Sequence, residues 1–227
     1  MKLLVVNPNT TASMTAKIGA AACAVARADT EIIAVNPETG PASIQGYLDI
    51  AKCMHGLLHE VARHPEIDAV LVACFDDTGV DAIRCLVDVP VLGIGEAAYH
   101  AASLISTRFS VITTLSRSVP GLQANLERYG LIKKCVGIRA TDIPVLKLEE
   151  GDPSTIDKIR DEIRQAMADD KAEVVVLGCA GMADLMHALS DEFGIPVIDG
   201  VASGVVLAEA LVNAGIKTSR VGAYAVT

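Results

Sequence analysis

Asp68-Ala-Val-Leu-Val-Ala-Cys74 and Glu173-Val-Val-Val-Leu-Gly-Cys179 are two versions of one passage: an acidic residue, a short apolar run and a cysteine. Sixteen residues after the first cysteine comes Pro90-Val-Leu-Gly93, and seventeen after the second comes Pro196-Val-Ile-Asp199. Short apolar runs of this kind, bounded by polar or turn-forming residues, read as buried strands. A chain that repeats a strand-and-crossover unit, and keeps a thiol at the same place in both copies, has the means to build a symmetric site. Two thiols flanking one small molecule are suited to moving a proton from one face of a carbon to the other.

Working outward, strands are expected at Leu3–Val6, Thr30–Val35, Ala69–Ala73, Val91–Gly93, Phe109–Ile112, Val136–Arg139, Val174–Gly178, Pro196–Ile198 and Val221–Ala225. Helical patterns lie between them near Ser13–Arg27, Tyr47–Arg63, Asp77–Leu86, Ala97–Ser106, Pro120–Tyr129, Ser154–Asp169, Met182–Phe193 and Ala202–Ala214. Pro120 suits a first helical turn, and Asp152-Pro-Ser154 suits a helix start. Strands of four to six residues alternating with longer helices are the pattern of βαβ units. The fold class expected is therefore α/β, with two similar domains related by a pseudo-twofold axis. Each is a mainly parallel four-stranded sheet flanked by helices. The first domain spans residues 1–103, with the segment 204–227 packing back on it, and the second spans 104–203. Ligands of open α/β sheets bind at the carboxyl ends of strands. Asn7–Thr10, Cys74–Thr78, Thr113–Thr114 and Cys179–Gly181 all fall at such ends.

Composition narrows the function. The 227 residues are 51% hydrophobic, include no Trp and carry a formal charge of −9. That balance argues against nucleic acid, whose phosphates require clustered Lys and Arg. The opening run Met1–Val6 is too short for a signal segment or a membrane span. It reads as the first strand of a cytoplasmic protein. Six scattered cysteines without a C-x-x-C pair fit thiols of a reducing compartment better than a disulfide or zinc framework.

A cysteine exchanges protons efficiently when its pKa is brought towards neutrality, and a helix N-terminus lowers thiol pKa. Both Cys74 and Cys179 are expected where a strand turns into a helix, next to small residues that admit a substrate. A lone cysteine after a Val-rich strand is usually a small core hydrophobe. Matched placement in both repeats favours chemistry, whereas Cys23, Cys53, Cys85 and Cys135 read as core. His55-Gly-Leu-Leu-His59 offers a metal no third ligand, so a solvated helix face is preferred and no metal is expected. Gly93-Ile-Gly95 reads as a tight turn rather than a dinucleotide fingerprint. Asp76-Asp77 could orient a substrate N–H or cap the following helix.

Four motifs carry a resemblance to a known family: Asn7-Pro-Asn-Thr10, Gly40-Pro-Ala-Ser-Ile-Gln-Gly46, Ala73-Cys-Phe-Asp-Asp-Thr-Gly79 and Leu177-Gly-Cys-Ala-Gly-Met182. Together they resemble the aspartate/glutamate/hydantoin racemase superfamily, and the last two its hydantoin and allantoin branch. Amino-acid racemases more typically follow the first cysteine with Asn-Thr and the second with Thr-His. Here those places hold Phe75-Asp76 and Ala180-Gly181, which favours a neutral ring over a charged amino acid. The resemblance implies a cofactor-independent, two-base racemisation with Cys74 and Cys179 as acid and base. It implies that Asn9, Ser43, Ile44, Phe75, Thr113, Thr114, Gly178, Ala180 and Gly181 contact a small hydantoin-like ring, in a homo-oligomer, and Asp76 is a further candidate for contact through its carboxylate. Allantoin or amino-acid racemisation and maleate isomerisation are the alternatives on this scaffold. Arylmalonate decarboxylases keep only one of the two cysteines. A two-lobed binding protein without turnover gives no reason for the paired thiols.

Overall fold

The computed structural model describes residues 1–149 and 153–225. Its first four strands are β1 (Lys2–Val6), β2 (Glu31–Val35), β3 (Ala69–Val72) and β4 (Val91–Gly93), paired in the order β2-β1-β3-β4. The next four are β5 (Phe109–Thr113), β6 (Cys135–Ala140), β7 (Val174–Gly178) and β8 (Val197–Asp199), paired β6-β5-β7-β8. Every pairing is parallel. Counted from its own first strand, each sheet has the same order, so the repeat runs through the whole topology. Val6 pairs with Val35 and Val72, and Thr113 with Ala140 and Gly178. The carboxyl ends of each sheet are thus nearly level.

The helices are α1 (Ala12–Val25), α2 (Tyr47–Ala62), α3 (Val80–Leu86), α4 (Ile94–Ile105), α5 (Val119–Arg128), α6 (Val145–Glu149), α7 (Pro153–Ala168), α8 (Met186–Phe193) and α9 (Gly200–Asn213). None is long and apolar enough to cross a membrane. The central strands β1, β3, β5 and β7 are buried on both faces, which explains their unbroken apolar sequences. Side chains alternate between two cores. Leu3, Val5 and Leu71 point into one shared by both sheets, and Leu4, Val6, Val70 and Val72 point towards α2 and α3.

The two halves are joined by an exchange of helices. α4 follows the first sheet's last strand but packs on β7 and β8 of the second sheet. α9 follows the second sheet's last strand and packs on β3 and β4 of the first. The two helices lie against each other, and a Cβ on Gly200 would stand 2.6 Å from the Ile94 carbonyl oxygen. Only a glycine permits that approach. Gly204 plays the same part further along, where a Cβ would run into Leu71 of β3.

The N-termini of these equivalent helices are capped differently. Asp199 caps its own helix, its carboxylate accepting from the Ala202 N–H at 2.7 Å. The matching position before α4 is Gly93, which has no side chain to cap with. Asp77 reaches across instead, accepting from the Gly95 and Glu96 N–H groups at 2.9 and 2.8 Å. A Cβ on Gly93 would collide with that carboxylate. Gly93-Ile-Gly95 is therefore a strand-to-helix junction shaped to admit Asp77, not a tight turn. Asp77 caps α4 rather than the helix that follows it.

Several expectations need correction. Val221–Ala225 is not a strand: Gly222 takes φ +78° and Gly222–Tyr224 form one 3-10 turn. Side chains hold that segment to the first half, with Arg220 on Asp88 and the Tyr224 hydroxyl donating to Asp81 at 2.9 Å. α3 begins at Val80, three residues later than expected, and α4 at Ile94, three earlier. Met182–Phe193 divides into a 3-10 stretch, Ala180–Leu185, and α8. α6 was not expected at all. Asp152, proposed as a cap for α7, lies outside the described residues.

Gly200→Ala is expected to lower stability by about 1–3 kcal/mol, because the added carbon meets backbone that cannot move aside. Gly121→Ala, in α5 where a Cβ meets open space, should instead be neutral or stabilising by up to about 1 kcal/mol. Urea unfolding midpoints of the two variants against the parent chain test this contrast.

Candidate active site

The carboxyl ends of β1, β3, β5 and β7 open onto one cleft of about 430 Å³ between the halves. Both cysteines line it. Of the other expected residues, Asn9, Ile44, Phe75, Asp76, Thr113, Thr114, Gly178 and Ala180 line it too. Ser43 is buried but does not line the cleft, and its hydroxyl accepts the Gln45 side-chain N–H at 2.6 Å. Gly181 is close behind: a Cβ there would sit 3.7 Å from the Cys179 sulfur.

The loop after β1 holds Asn9 rigidly. Its Oδ1 accepts from the Thr11 N–H at 2.9 Å and the Asn7 amide at 3.0 Å, while its own amide donates to the Met14 sulfur at 3.2 Å. With the oxygen committed, Asn9 offers the cleft a donor. The same loop anchors residues 40–46, through Thr10 N–H to the Pro41 carbonyl and Thr11 hydroxyl to the Ala42 carbonyl. Ile44 is thereby set against the cleft. Across from it, the Thr113 hydroxyl donates to the Gly178 carbonyl at 3.3 Å, tying the ends of β5 and β7 together.

Cys74 does not stand at a helix N-terminus. A turn separates it from α3, with Asp77 at φ +53° and Gly79 at φ +77°. The turn bends this way so that Asp77 can cap α4. Two side chains of the second half hold it in place: Asn125 donates to the Asp76 carbonyl at 2.9 Å, and the Tyr129 hydroxyl donates to Asp77 at 2.8 Å. Phe75 is wedged edge-on against Tyr99, with ring centroids 5.2 Å apart. Cys179 keeps the expected setting, opening the 3-10 stretch Ala180–Leu185, which packs against α1 of the first half. Each cysteine loop therefore rests on elements of the opposite half.

Electrostatics separate Cys74 from its expected state. Burial pushes its thiol well above the usual range, and the nearby Asp76 carboxylate pushes it the same way. The Thr78 hydroxyl, 3.6 Å away, and the Asp76 peptide N–H oppose this without overcoming it. The balance of these effects favours the protonated thiol at Cys74. Burial also raises Asp76 to about 6 and Asp77 to about 7, the latter against the pull of its hydrogen bonds.

Met14, Ala73, Ser118 and Val145 line the cleft as well but were not anticipated. Pro144, one residue before α6, was the available signal for Val145, since proline marks helix starts. Met14 and Ser118 carry no comparable mark. His55 and His59 stack at 6.4 Å on an exposed stretch of α2, away from the cleft.

Comparison with known proteins agrees with this architecture. The chain is 47% identical over 228 residues to a hydantoin racemase of Rhizobium meliloti, covering 99% of this chain and 94% of the relative. It is 43% identical over 226 residues to a hydantoin racemase of Pseudomonas sp. strain NS671, covering 99% and 91%. Allantoin racemase from Klebsiella pneumoniae superposes with a TM-score of 0.97 at 41% identity, over 100% of this chain and 94% of that one. The Asp/Glu/Hydantoin racemase profile matches residues 3–208. The chain belongs to the Asp/Glu/Hydantoin racemase family and is a racemase.

Proposed function

We propose that this racemase inverts C5 of 5-monosubstituted hydantoins by a two-base mechanism in which Cys74 and Cys179 act on opposite faces of the ring. The observation that carries the reading is that these residues, at the ends of equivalent strands, line one cleft. The hydantoin racemases at 43% and 47% identity support the choice of substrate. The C5 proton lies beside a ring carbonyl, so its removal gives an enolate and a thiolate is a sufficient base.

In one direction the Cys179 thiolate takes the C5 proton, and the C–H electron pair moves into the adjacent carbonyl. The Cys74 thiol then delivers its proton to the other face of C5, as the enolate electrons return to form the new C–H bond. The sulfurs end with their protonation states exchanged. Asn9 and Thr114 offer donors to the developing oxyanion, as preorganised dipoles do in other enolate-forming sites, while the Thr113 hydroxyl stays on the Gly178 carbonyl and keeps the two strand ends together. In this reading Asp76, which lines the cleft, accepts a ring N–H. No step calls on a metal or an organic cofactor.

Because burial and Asp76 favour the protonated form of Cys74, the two thiols are not equivalent as acid and base, and the two directions of the reaction are expected to differ. Enantiomers have equal free energies in water, so kcat/KM must be the same for both. The asymmetry is therefore expected as proportionate differences in kcat and KM, measurable by polarimetry from each pure enantiomer.

Allantoin is the second reading, favoured by the superposition on an allantoin racemase. Comparing turnover of allantoin with that of 5-alkylhydantoins separates the two.

Cys74→Ser and Cys179→Ser should each lower racemisation of both enantiomers by about 100-fold or more, the usual contribution of a positioned acid or base. Near-normal racemisation in either variant would sink the two-base assignment. Asp76→Asn removes the negative charge beside Cys74. The pH profile of Cys74 alkylation, followed by mass spectrometry of its peptide, should shift to lower pH. No shift would show that Asp76 does not govern this thiol.

A further inference from the structure

A second groove, of about 540 Å³, opens beside the reaction cleft between the start of α2 and the start of α5. Asp76 and Ser118 line both spaces, so the groove continues the cleft. Its far wall is formed by Tyr47 and Ile50 from one half, facing Gly121 and Ala124 from the other. The polar groups beside them are engaged: Asn125 donates to the Asp76 carbonyl at 2.9 Å and Arg117 to the Gln45 side chain at 2.7 Å. What is left for a ligand is chiefly apolar surface.

We infer that this groove is the subsite for the 5-substituent, and that it takes apolar side chains of arylmethyl or branched-alkyl size. The inference rests on the proposed two-base reaction of hydantoins. In the planar enolate, C5 and the first atom of its substituent lie in the ring plane, perpendicular to the line along which protons arrive and leave. With the thiols above and below, the substituent has to leave sideways. The groove, which joins the cleft at Asp76 and Ser118 and is lined by neither cysteine, is the space that we assign to it. It also lies between the halves, so a chain seated in it is touched by α2 and α5 together.

Gly121 supplies the test, because a Cβ built there meets open space and its backbone is helical. Gly121→Leu is expected to plug the groove without strain. Ala124→Trp, at an exposed position one turn further on, does so from a different residue. For each variant the kcat/KM ratio of 5-benzylhydantoin to 5-methylhydantoin is compared with that of the parent enzyme. A methyl group does not reach the groove, so the ratio should fall by about 10-fold or more, the scale on which hydrophobic pockets discriminate. Thermal unfolding confirms that both variants are folded. An unchanged or increased ratio in both folded variants overturns the subsite. A fall for allantoin relative to 5-methylhydantoin, with benzyl unaffected, overturns its apolar character and gives the groove to a polar ureido chain. A parent enzyme that racemises neither hydantoin overturns the reading beneath it, and the subsite with it.

Discussion

The contact between α4 and α9 is the constraint on which the rest of this structure depends. Each helix leaves the sheet that precedes it and covers the other one, and they meet where Gly200 lets the Ile94 carbonyl approach within van der Waals range. Two open parallel sheets have no inherent reason to present their carboxyl ends to a common space. Exchanged helices, buried in one continuous core, fix the relative orientation of the sheets and so bring four strand ends to one cleft. Overpacking at such a junction is costly because interiors of this density transmit displacement rather than absorb it.

The same exchange explains why the two cysteine loops differ. Asp199 supplies its own helix with a cap worth about 1 kcal/mol. Gly93 cannot, so Asp77 is drawn from the Cys74 loop to do the work, and the loop bends through positive φ at Asp77 and Gly79. That bend leaves Cys74 off the N-terminus of α3, with Asp76 beside it. The matched positions Gly93 and Asp199 thus accompany two differently shaped cysteine loops in a pseudo-symmetric fold. Tyr129 and Asn125 hold the bent loop from the opposite half, coupling its geometry to the closeness of the two halves.

Much of this was legible in the chain. The doubled strand-cysteine passage carried the α/β class and the paired sheets, because parallel strands buried on both faces need unbroken apolar runs and leave a strong imprint on sequence. Asn9, Thr113 and Gly178 were legible because strand ends are where such sheets bind ligands. The setting of Cys74 was not, since it depends on a cap supplied across space by Asp77, and no local pattern records that Gly93 lacks one. Val221–Ala225 resembled a strand in composition, yet among the described residues no strand pairs with it. Its conformation is decided by Arg220 and Tyr224 reaching α3 and its surroundings. Met14 in α1 and Ser118, just before α5, reach the cleft through tertiary packing, which periodicity does not locate.

The central claim is that two cysteines work on opposite faces of one carbon, and isotope exchange examines each face separately. Pure D- and L-5-benzylhydantoin in D₂O, incubated with Cys74→Ser and with Cys179→Ser, can be followed by NMR at C5. The account predicts complementary behaviour: each variant exchanges the C5 hydrogen of the one enantiomer that faces its remaining thiol, with retention and without racemisation. Exchange of the same enantiomer by both variants would contradict it.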